Sequence, residues 1–408
     1  LNALKAGHIY GEVSGIFPMR FEIPPAKLDP GTYRSITGNY SLALGFVAAA
    51  QKAGLTLFQG SYPITPASDI LHHLSALRHF GVMTFQAEDE IAAICASLGA
   101  AYTGSLAITT TSGPGLALKA EAAGLGVMTE LPMVIVNVQR GGPSTGLPTK
   151  TEQSDLLQAM YGRNGECPMP IIAASGPGDA FEVAYEASRI ALRYMIPVTL
   201  LTDGYIANGA EPWQLPDVDD LPEINVKFRT DPEGFLPYTR DLETLSRPWA
   251  IPGTPGLEHR VGGLEKEHLT GNVSYDPTNH DKMCRLRADK VLRVRNDIPP
   301  TQVKGSQTGK VLVLGWGSTY GSIWEAVRRL NIEGHAVGHA HLRWLNPLPA
   351  DLEEVMGRFE HVLIPEINLG QLSKIIRAEY LIDAEGLNFV RGLPFKVSEI
   401  EEAVRARL

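Results

Sequence analysis

Apolar and polar positions along the first half of the chain follow two periods. Residues 37–54, TGNYSLALGFVAAAQKAG, put Leu42 and Phe46 on one helical face between a polar start and a terminal Gly54. Short, almost wholly apolar runs come between such segments: LTLF at 55–58, PMVIVNV at 132–138 and IPVTLLTDG at 196–204. Apolar strands separated by amphipathic helices are typical of a parallel sheet covered on both faces, so we predict a doubly wound α/β domain over residues 35–213.

Two further regions flank this domain in the prediction. Residues 214–305 are rich in proline, glycine and charged residues, which predicts a linker or interface arm. Within this segment we predict one helix, near 281–294. Residues 1–34 predict a connector: a helix in LNALKAGHIYGEVSG, then a proline-bearing linker over 17–30.

A second, smaller α/β domain is predicted over residues 306–408. A strand at 311–318 precedes a helix at 323–330, and another strand follows at 361–370. GWGSTYG, at 315–321, resembles a glycine-rich phosphate loop but is not GxGxxG, so we favour tight strand-to-helix packing there.

A central helix is predicted within residues 85–104, FQAEDEIAAICASLGAAYTG. Glu88, Asp89 and Glu90 open it, and an apolar stripe of Ile91, Ile94, Cys95 and Leu98 follows. Acids in a first turn complement the helix dipole, so a charged cap explains them as well as a functional carboxylate does.

Charge and cysteine usage exclude several classes of function. A net charge of -9 and a pI near 5.7 argue against nucleic acid or anionic membrane as the main partner. No run has the length of a membrane span and no signal peptide is evident, which predicts a cytoplasmic protein. Cys95, Cys167 and Cys284 form no CxxC or Cys/His pattern, so we expect no metal or iron–sulfur site within this chain. The histidines, His339 and His341 among them, are expected at the surface or in packing.

Four polar features are expected at the carboxyl ends of strands in the first unit. They are YPITP at 62–66, the helix start at Glu88, TTTSGPG at 109–115, and Arg140 after PMVIVNV. Each has a structural explanation by itself, as a turn, a cap, a helix entry or a solvated charge. Because the carboxyl ends of parallel strands share one edge, we expect the four to converge and hold an anionic small molecule beside a cofactor.

These motifs, with LPMVIVNVQRGGPSTGLPT at 131–149, resemble the α subunit of 2-oxoacid:ferredoxin oxidoreductases, most closely the 2-oxoglutarate type. The resemblance covers residues 35–213, and GWGSTYG, HLRWLNPLP and VLIPEINLGQL extend it to the C-terminal unit. It implies a thiamine diphosphate-binding domain of the pyrimidine type followed by a transketolase C-terminal-like domain. It also implies that residues 1–34 are the tail of a γ domain.

The resemblance implies a cofactor site shared between two polypeptides. Thiamine diphosphate would contact Pro63, Ile64, Thr65 and Glu88 here, while a β subunit would hold its diphosphate, Mg²⁺ and a [4Fe-4S] cluster. Glu88 would be the catalytic acid, buried against the aminopyrimidine ring that it polarises. Helical geometry alone leaves Asp89 and Glu90 open as rivals.

By the same resemblance, the substrate contacts would be Thr65, Arg140 and Thr149. The implied reaction is oxidative decarboxylation of 2-oxoglutarate with coenzyme A to succinyl-CoA and CO₂, reducing ferredoxin and reversible, in an (αβ)₂ assembly. A subunit for pyruvate or branched-chain oxo-acids, a transketolase-like dehydrogenase subunit that uses lipoamide, and a non-catalytic scaffold stay open as alternatives.

Overall fold

The computed structural model describes residues 1–16, 19 and 21–408. Part of the predicted linker, Phe17, Pro18 and Arg20, lies outside the described residues. The strands are β1 Tyr33–Thr37, β2 Leu57–Ser61, β3 Val82–Gln86, β4 Leu106–Thr111, β5 Met133–Gln139, β6 Ile171–Ala173, β7 Pro197–Asp203, β8 Ala210–Gln214, β9 Val303–Gly305, β10 Gly309–Trp316, β11 Val337–Leu342, β12 Trp344–Asn346, β13 Phe359–Glu366 and β14 Ala384–Asn388.

The helices alternate with these strands through most of the chain. They are α1 Asn2–Val13, α2 Gly38–Ala53, α3 Ser68–Ala76, α4 Glu90–Tyr102, α5 Gly113–Leu118, α6 Ala120–Thr129, α7 Leu156–Tyr161, α8 Asp179–Tyr194, α9 Gly204–Asn208, α10 Pro277–Arg293, α11 Tyr320–Ile332, α12 Leu352–Met356, α13 Gln371–Tyr380 and α14 Val397–Arg405. Within the described chain, none is both long and apolar enough to cross a bilayer.

The first unit is built on a sheet in the order β3-β2-β4-β5-β7-β6-β12. Its strands are parallel except β12, which pairs antiparallel with β6. Every position of β4, β5 and β7 is buried, because helices cover both faces of the sheet. The predicted doubly wound sheet is therefore confirmed.

Helix α4 differs from the predicted helix in its start and in its buried face. It begins at Glu90, and Asp89 is the N-cap, whose Oδ1 accepts a 2.7 Å hydrogen bond from the Ala92 amide. Ile94 is buried, but Ile91 is half exposed and Cys95 is exposed, so half of the predicted stripe faces outward. Glu88 lies before the helix, because the cap residue fixes where helical geometry begins.

The second unit is a five-stranded sheet in the order β14-β13-β10-β11-β9, parallel except for β9. Its smaller α/β architecture matches the prediction. GWGSTYG is a packing turn: a Cβ on Gly315 would lie 2.4 Å from Ile323 Cδ1, and one on Gly317 would lie 2.5 Å from Gln153 Nε2. Only glycine lets the turn approach so closely.

The two units share more structure than the predicted domain boundaries suggest. Strand β12, which comes from the predicted 306–408 domain, is the edge strand of the first sheet. The predicted arm over 214–305 packs on the first unit, where Trp249 and Val291 enter the main core. Its helix α10 starts at Pro277, behind an Asp276 cap, four residues before the predicted 281.

Candidate functional site

The four predicted features lie at one edge of the first sheet. They follow β2, β3, β4 and β5, which are parallel neighbours, so their carboxyl ends open on the same side. The four features therefore share this edge, and their binding of an anionic small molecule beside a cofactor stays a prediction.

Thr65 and Arg140 are in direct contact. Arg140 is 8% exposed, and its Nη1 donates a 2.7 Å hydrogen bond to the Thr65 carbonyl. Within the described chain, its buried Nε has no hydrogen-bond partner. One part of the guanidinium is thus anchored, while another still has a donor to offer to an anion.

The YPITP turn is fixed by hydrogen bonds to the rest of the first unit, and several of its residues are exposed to solvent. Asn39 Nδ2 donates to the Pro66 carbonyl at 2.8 Å, and Ser68 Oγ accepts from the Ile64 amide at 2.9 Å. Ile64 is half-buried, whereas Pro63 and Thr65 are exposed at the edge. The predicted cofactor contacts therefore present a fixed surface.

The expectation that Glu88 is buried is wrong for this chain. Glu88 is exposed in the turn before α4, and Asp89 is occupied as the cap. Glu90 is the carboxylate that packing encloses, at 8% exposed. Lys119 Nζ donates to the Glu90 carbonyl at 2.8 Å, and burial lowers the pKa of Lys119 to about 8. Three consecutive acids in the sequence do not show which of them is exposed, which caps the helix and which is buried.

The TTTSGPG loop lies between two carboxylates. A Cβ on Gly115 would be 2.8 Å from Glu90 Cγ, and one on Gly113 would be 2.8 Å from Asp155 Oδ2. Burial raises the pKa of Asp155, and this effect outweighs the 2.9 Å hydrogen bond from Asn137 Nδ2, which by itself lowers the pKa. Sequence reasoning missed Asp155, because it follows a long polar loop and no strand or motif marks it. The two glycines let the loop pack directly on both acids.

Thr149 is exposed on a loop that folds back to the same edge. The Gly141 amide donates to the Lys150 carbonyl at 2.9 Å, and the Leu147 amide donates to the Gly141 carbonyl at 2.8 Å. These bonds bring Thr149, beside Lys150, close to the residue that follows Arg140.

Several buried polar atoms of these strands and of the segments that follow them have no hydrogen-bond partner within the described residues. They are Gln59 Oε1, Thr109 Oγ1, Ser112 Oγ and Asn137 Oδ1, besides Arg140 Nε. Buried polar groups are normally paired, so this edge has unused hydrogen-bonding capacity. The residues fit a polar heteroaromatic ring beside a carboxylate.

A Cys/His pattern that the sequence did not reveal occurs in the arm. His280 Nδ1 lies 2.8 Å from Glu265 Oε2, and Cys284 Sγ lies 3.7 Å from His280 Nε2. The Arg287 guanidinium contacts both Glu265 Oε2, at 3.0 Å, and Cys284 Sγ, at 3.2 Å. The positive charge beside Glu265 and Cys284 is therefore the Arg287 guanidinium itself. The cluster is not part of the sheet edge.

Comparison with known proteins decides the family. A family model described as pyruvate flavodoxin/ferredoxin oxidoreductase, thiamine diphosphate-binding, matches residues 49–274, more than half of the chain. The chain belongs to this oxidoreductase family.

Curated relatives in this family agree with the resemblance seen in the sequence. The 2-oxoglutarate oxidoreductase subunit KorA of Mycobacterium tuberculosis is 58% identical over 408 residues, which are 100% of this chain and 62% of the relative. The 2-oxoglutarate synthase subunit KorA of Methanothermobacter thermautotrophicus is 33% identical over 83% of this chain and 88% of its own length. The chain therefore spans about three fifths of the first of these relatives.

Solved structures extend the agreement to the fold. The 2-oxoglutarate:ferredoxin oxidoreductase of Magnetococcus marinus, solved with 2-oxoglutarate, coenzyme A and succinyl-CoA bound, matches with a TM-score of 0.91 and 36% identity over 99% of this chain and 69% of that chain. A split-gene transketolase, described as an inactive β4 tetramer, matches with a TM-score of 0.52 and 12% identity over 91% of this chain and 98% of that chain, a likeness of fold alone.

Proposed function

We propose that this chain is the α-subunit part of a 2-oxoglutarate:ferredoxin oxidoreductase that converts 2-oxoglutarate and coenzyme A to succinyl-CoA and CO₂, reversibly, while reducing ferredoxin. The observation that carries the proposal is the meeting of a buried carboxylate, a glycine loop and a partly anchored guanidinium at one sheet edge, in a member of this family. The relatives named above support the choice of 2-oxoglutarate.

Thiamine diphosphate, when bound, would supply the carbon nucleophile and electron sink that decarboxylation of a 2-oxoacid needs. Pro63, Ile64 and Thr65 would hold its pyrimidine ring at the edge. We propose Glu90 as the carboxylate that hydrogen-bonds this ring, because burial strengthens such a bond, and we keep the exposed Glu88 as the alternative.

Arg140 would bind the carboxylate of the oxo-acid. The Thr65 carbonyl fixes one arm of the guanidinium and leaves a buried donor for the substrate. Thr65 and Thr149 would add hydroxyl groups to the same pocket.

The remaining parts of the reaction would come from a β subunit in an (αβ)₂ assembly. That subunit would hold the diphosphate, Mg²⁺ and a [4Fe-4S] cluster that passes electrons to ferredoxin, and we expect the complex in the cytoplasm. The three cysteines of this chain are free and support a cluster carried elsewhere.

Paired substitutions test the proposed carboxylate. In the reconstituted complex, Glu90→Gln is expected to lower coenzyme A-dependent viologen reduction by about 100-fold or more, because the neutral amide cannot polarise the ring in the same way. Glu88→Gln, the matched control, is expected to change the rate by less than about 3-fold, as exposed substitutions usually do. Unchanged turnover in Glu90→Gln, with loss in Glu88→Gln, would restore Glu88 to the role; unchanged turnover in both would support a non-catalytic scaffold.

Pyruvate is the second candidate substrate, because the matching family model names it. Steady-state rates on 2-oxoglutarate, pyruvate and a branched-chain oxo-acid distinguish these substrates. Acyl transfer to lipoamide in place of viologen reduction would indicate a transketolase-like dehydrogenase subunit.

A further inference from the structure

A polar cavity of about 260 Å³ lies between the two units. Its walls include Asp179 of α8, Lys304 of β9, Tyr320 of α11, and His339 of β11. His341 shares a face with His339, because residues two apart in a strand point the same way. On the first unit the cavity adjoins the end of β6, two strands away from β5 and Arg140.

The imidazoles of His339 and His341 have ring nitrogens that make no hydrogen bond to the described part of the chain. His339 is 1% exposed, and within the described residues neither of its ring nitrogens has a partner. His341 Nε2 lies 3.1 Å from the Gly317 carbonyl, so this nitrogen donates and leaves the buried Nδ1 as an acceptor without a partner in the described chain. Three buried ring nitrogens without partners in one small cavity are unusual in a folded protein.

Lys304 is the cation of this cavity that has no carboxylate partner among the described residues, because Arg343 pairs with Asp179 and Glu182. Lys304 is opposite His339 in the β9–β11 register, and its ammonium donates to the Tyr320 hydroxyl, which leaves it two further N–H donors. The carboxylate in the wall, Asp179, is already occupied: Oδ2 accepts from the Ser175 amide and hydroxyl at 2.8 Å each, and Oδ1 pairs with Arg343. Within the described part of the chain, the cavity therefore offers hydrogen-bond donors and the charge of Lys304, and its wall carboxylate is already paired.

We propose that this cavity binds a small oxyanion, a carboxylate or a phosphate, through the Lys304 ammonium, the Tyr320 hydroxyl and the His339 imidazole. The site is separate from the edge of β2, β3, β4 and β5 and from the function proposed there. Its position between the units suits an effector that acts on how they pack together.

Binding at this site is coupled to protons. Burial, then His341 and Lys304, hold the pKa of His339 well below its usual value, and burial lowers the pKa of His341 to about 3, with Arg343 and Lys304 adding to the effect. Both rings are neutral near neutral pH without a ligand. A bound anion favours the imidazolium form and raises these pKa values, so binding takes up protons and tightens as pH falls.

The test is calorimetric titration of the intact protein with inorganic phosphate and, separately, with succinate. Buffers of different ionisation enthalpy measure proton uptake. Because succinate resembles the proposed substrate, the titrations are repeated in an Arg140→Met background, which removes binding at the sheet edge. We expect one of the two anions to bind about 10-fold more tightly near pH 6 than near pH 8, which corresponds to an average uptake of about half a proton per bound anion over those two pH units. The anion that binds identifies the chemical class of the effector.

Two variants and one control make the result specific to this cavity. Lys304→Met and His339→Phe are expected to weaken binding by about 10-fold or more, since each removes a charged or polar contact to the anion. Lys310→Met, which removes an exposed lysine of the same unit that pairs with Glu360, is expected to leave it within about 2-fold. If His339→Phe fails to fold, the exposed Lys304 still decides the question. Absence of binding by both anions, or unchanged binding in Lys304→Met, would overturn the proposal.

Discussion

Gly115 determines how closely the TTTSGPG loop approaches Glu90. A Cβ there would lie 2.0 Å from Thr111 Oγ1 and 2.8 Å from Glu90 Cγ. A side chain at this position must therefore displace the Glu90 carboxylate, the Thr111 hydroxyl or the loop itself. The geometry of the proposed catalytic acid thus depends on a residue that has no functional group.

Gly115→Ala is expected to lower the turnover of the reconstituted complex by about 10-fold or more, since small displacements of a catalytic group have large effects. The matched control is Gly124→Ala in α6, where the nearest atom to a new Cβ is Cys167 Sγ at 3.9 Å. Alanine in that helix should retain activity and raise stability slightly. Equal turnover in the two variants would contradict the proposed placement of Glu90. The measurement is steady-state turnover, with thermal unfolding as the check on folding.

The identity of the buried acid depends on one capping hydrogen bond that the sequence could not specify. Glu88, Asp89 and Glu90 are all compatible with a helix start, and helical periodicity does not select among them. Once Asp89 accepts from the Ala92 amide, Glu90 becomes the first helical residue and is buried against Gly115 of the TTTSGPG loop, while Glu88 stays exposed. Arg140 and Thr65 were easier to predict, because each directly follows an apolar strand or a proline-marked turn.

At the scale of elements, buried strands were predicted well and edge strands were not. The apolar runs that became β5 and β7 give a strong signal, because both their faces are buried. Strand β3 was missed: it is an edge strand with Met83 and Phe85 exposed, so its sequence lacks a continuous apolar run. The order of the sheets and the course of the arm depend on contacts between residues far apart in sequence.

One such contact fixes the arm. Glu130, at the end of α6, is buried with Lys290 of α10 and Arg240 of the arm, both paired with its Oε2. Glu130→Gln is expected to lower the free energy of unfolding by about 3 kcal/mol, because it leaves the buried Lys290 charge without its partner. Arg285→Ala removes an exposed pair with Asp281 on the same helix and should change little. Chemical denaturation measures both, and equal effects would show that the buried pair does not anchor the arm.

The same pair predicts an acid-sensitive arm. Burial alone raises the pKa of Glu130, but Lys290 and Arg240 outweigh it and lower the pKa to about 2, against an ordinary value of 4.5. A depressed folded-state pKa contributes stability above the unfolded value, which is lost as pH falls from 4.5 toward 2. We expect unfolding free energy to decline over that interval more steeply in the wild type than in Glu130→Gln. Parallel pH profiles of the two proteins, from denaturation at each pH, would contradict this assignment.

For the whole molecule, the two sheets are connected by strand β12, by a shared hydrophobic core and by the buried side chain of Gln153. Gln153 follows the Thr149 loop of the first unit, and its side chain is fully buried between the units. Its Nε2 donates to the Trp316 carbonyl at 2.8 Å, and its Oε1 accepts from the Ile367 amide at 3.1 Å. These bonds tie the end of β10 and the residue after β13 to the loop that carries proposed substrate contacts. We therefore propose that packing of the second unit is coupled to the site on the first.

Gln153→Ala is expected to lower the free energy of unfolding by about 2 kcal/mol, because it leaves the buried Ile367 amide without its acceptor. The Trp316 carbonyl loses one of its two donors but keeps the 2.7 Å hydrogen bond from the Thr319 hydroxyl. The matched control is Gln51→Ala, which removes an exposed 2.7 Å bond from Gln51 Nε2 to the Phe80 carbonyl and should cost less than about 1 kcal/mol. Hydrogen exchange distinguishes a local from a molecule-wide effect: the Ile367 amide should exchange faster in Gln153→Ala, together with amides of the loop before Gln153. If only the second unit exchanged faster, the loop would be held by contacts within the first unit, and the proposed coupling between the units and the site would be wrong.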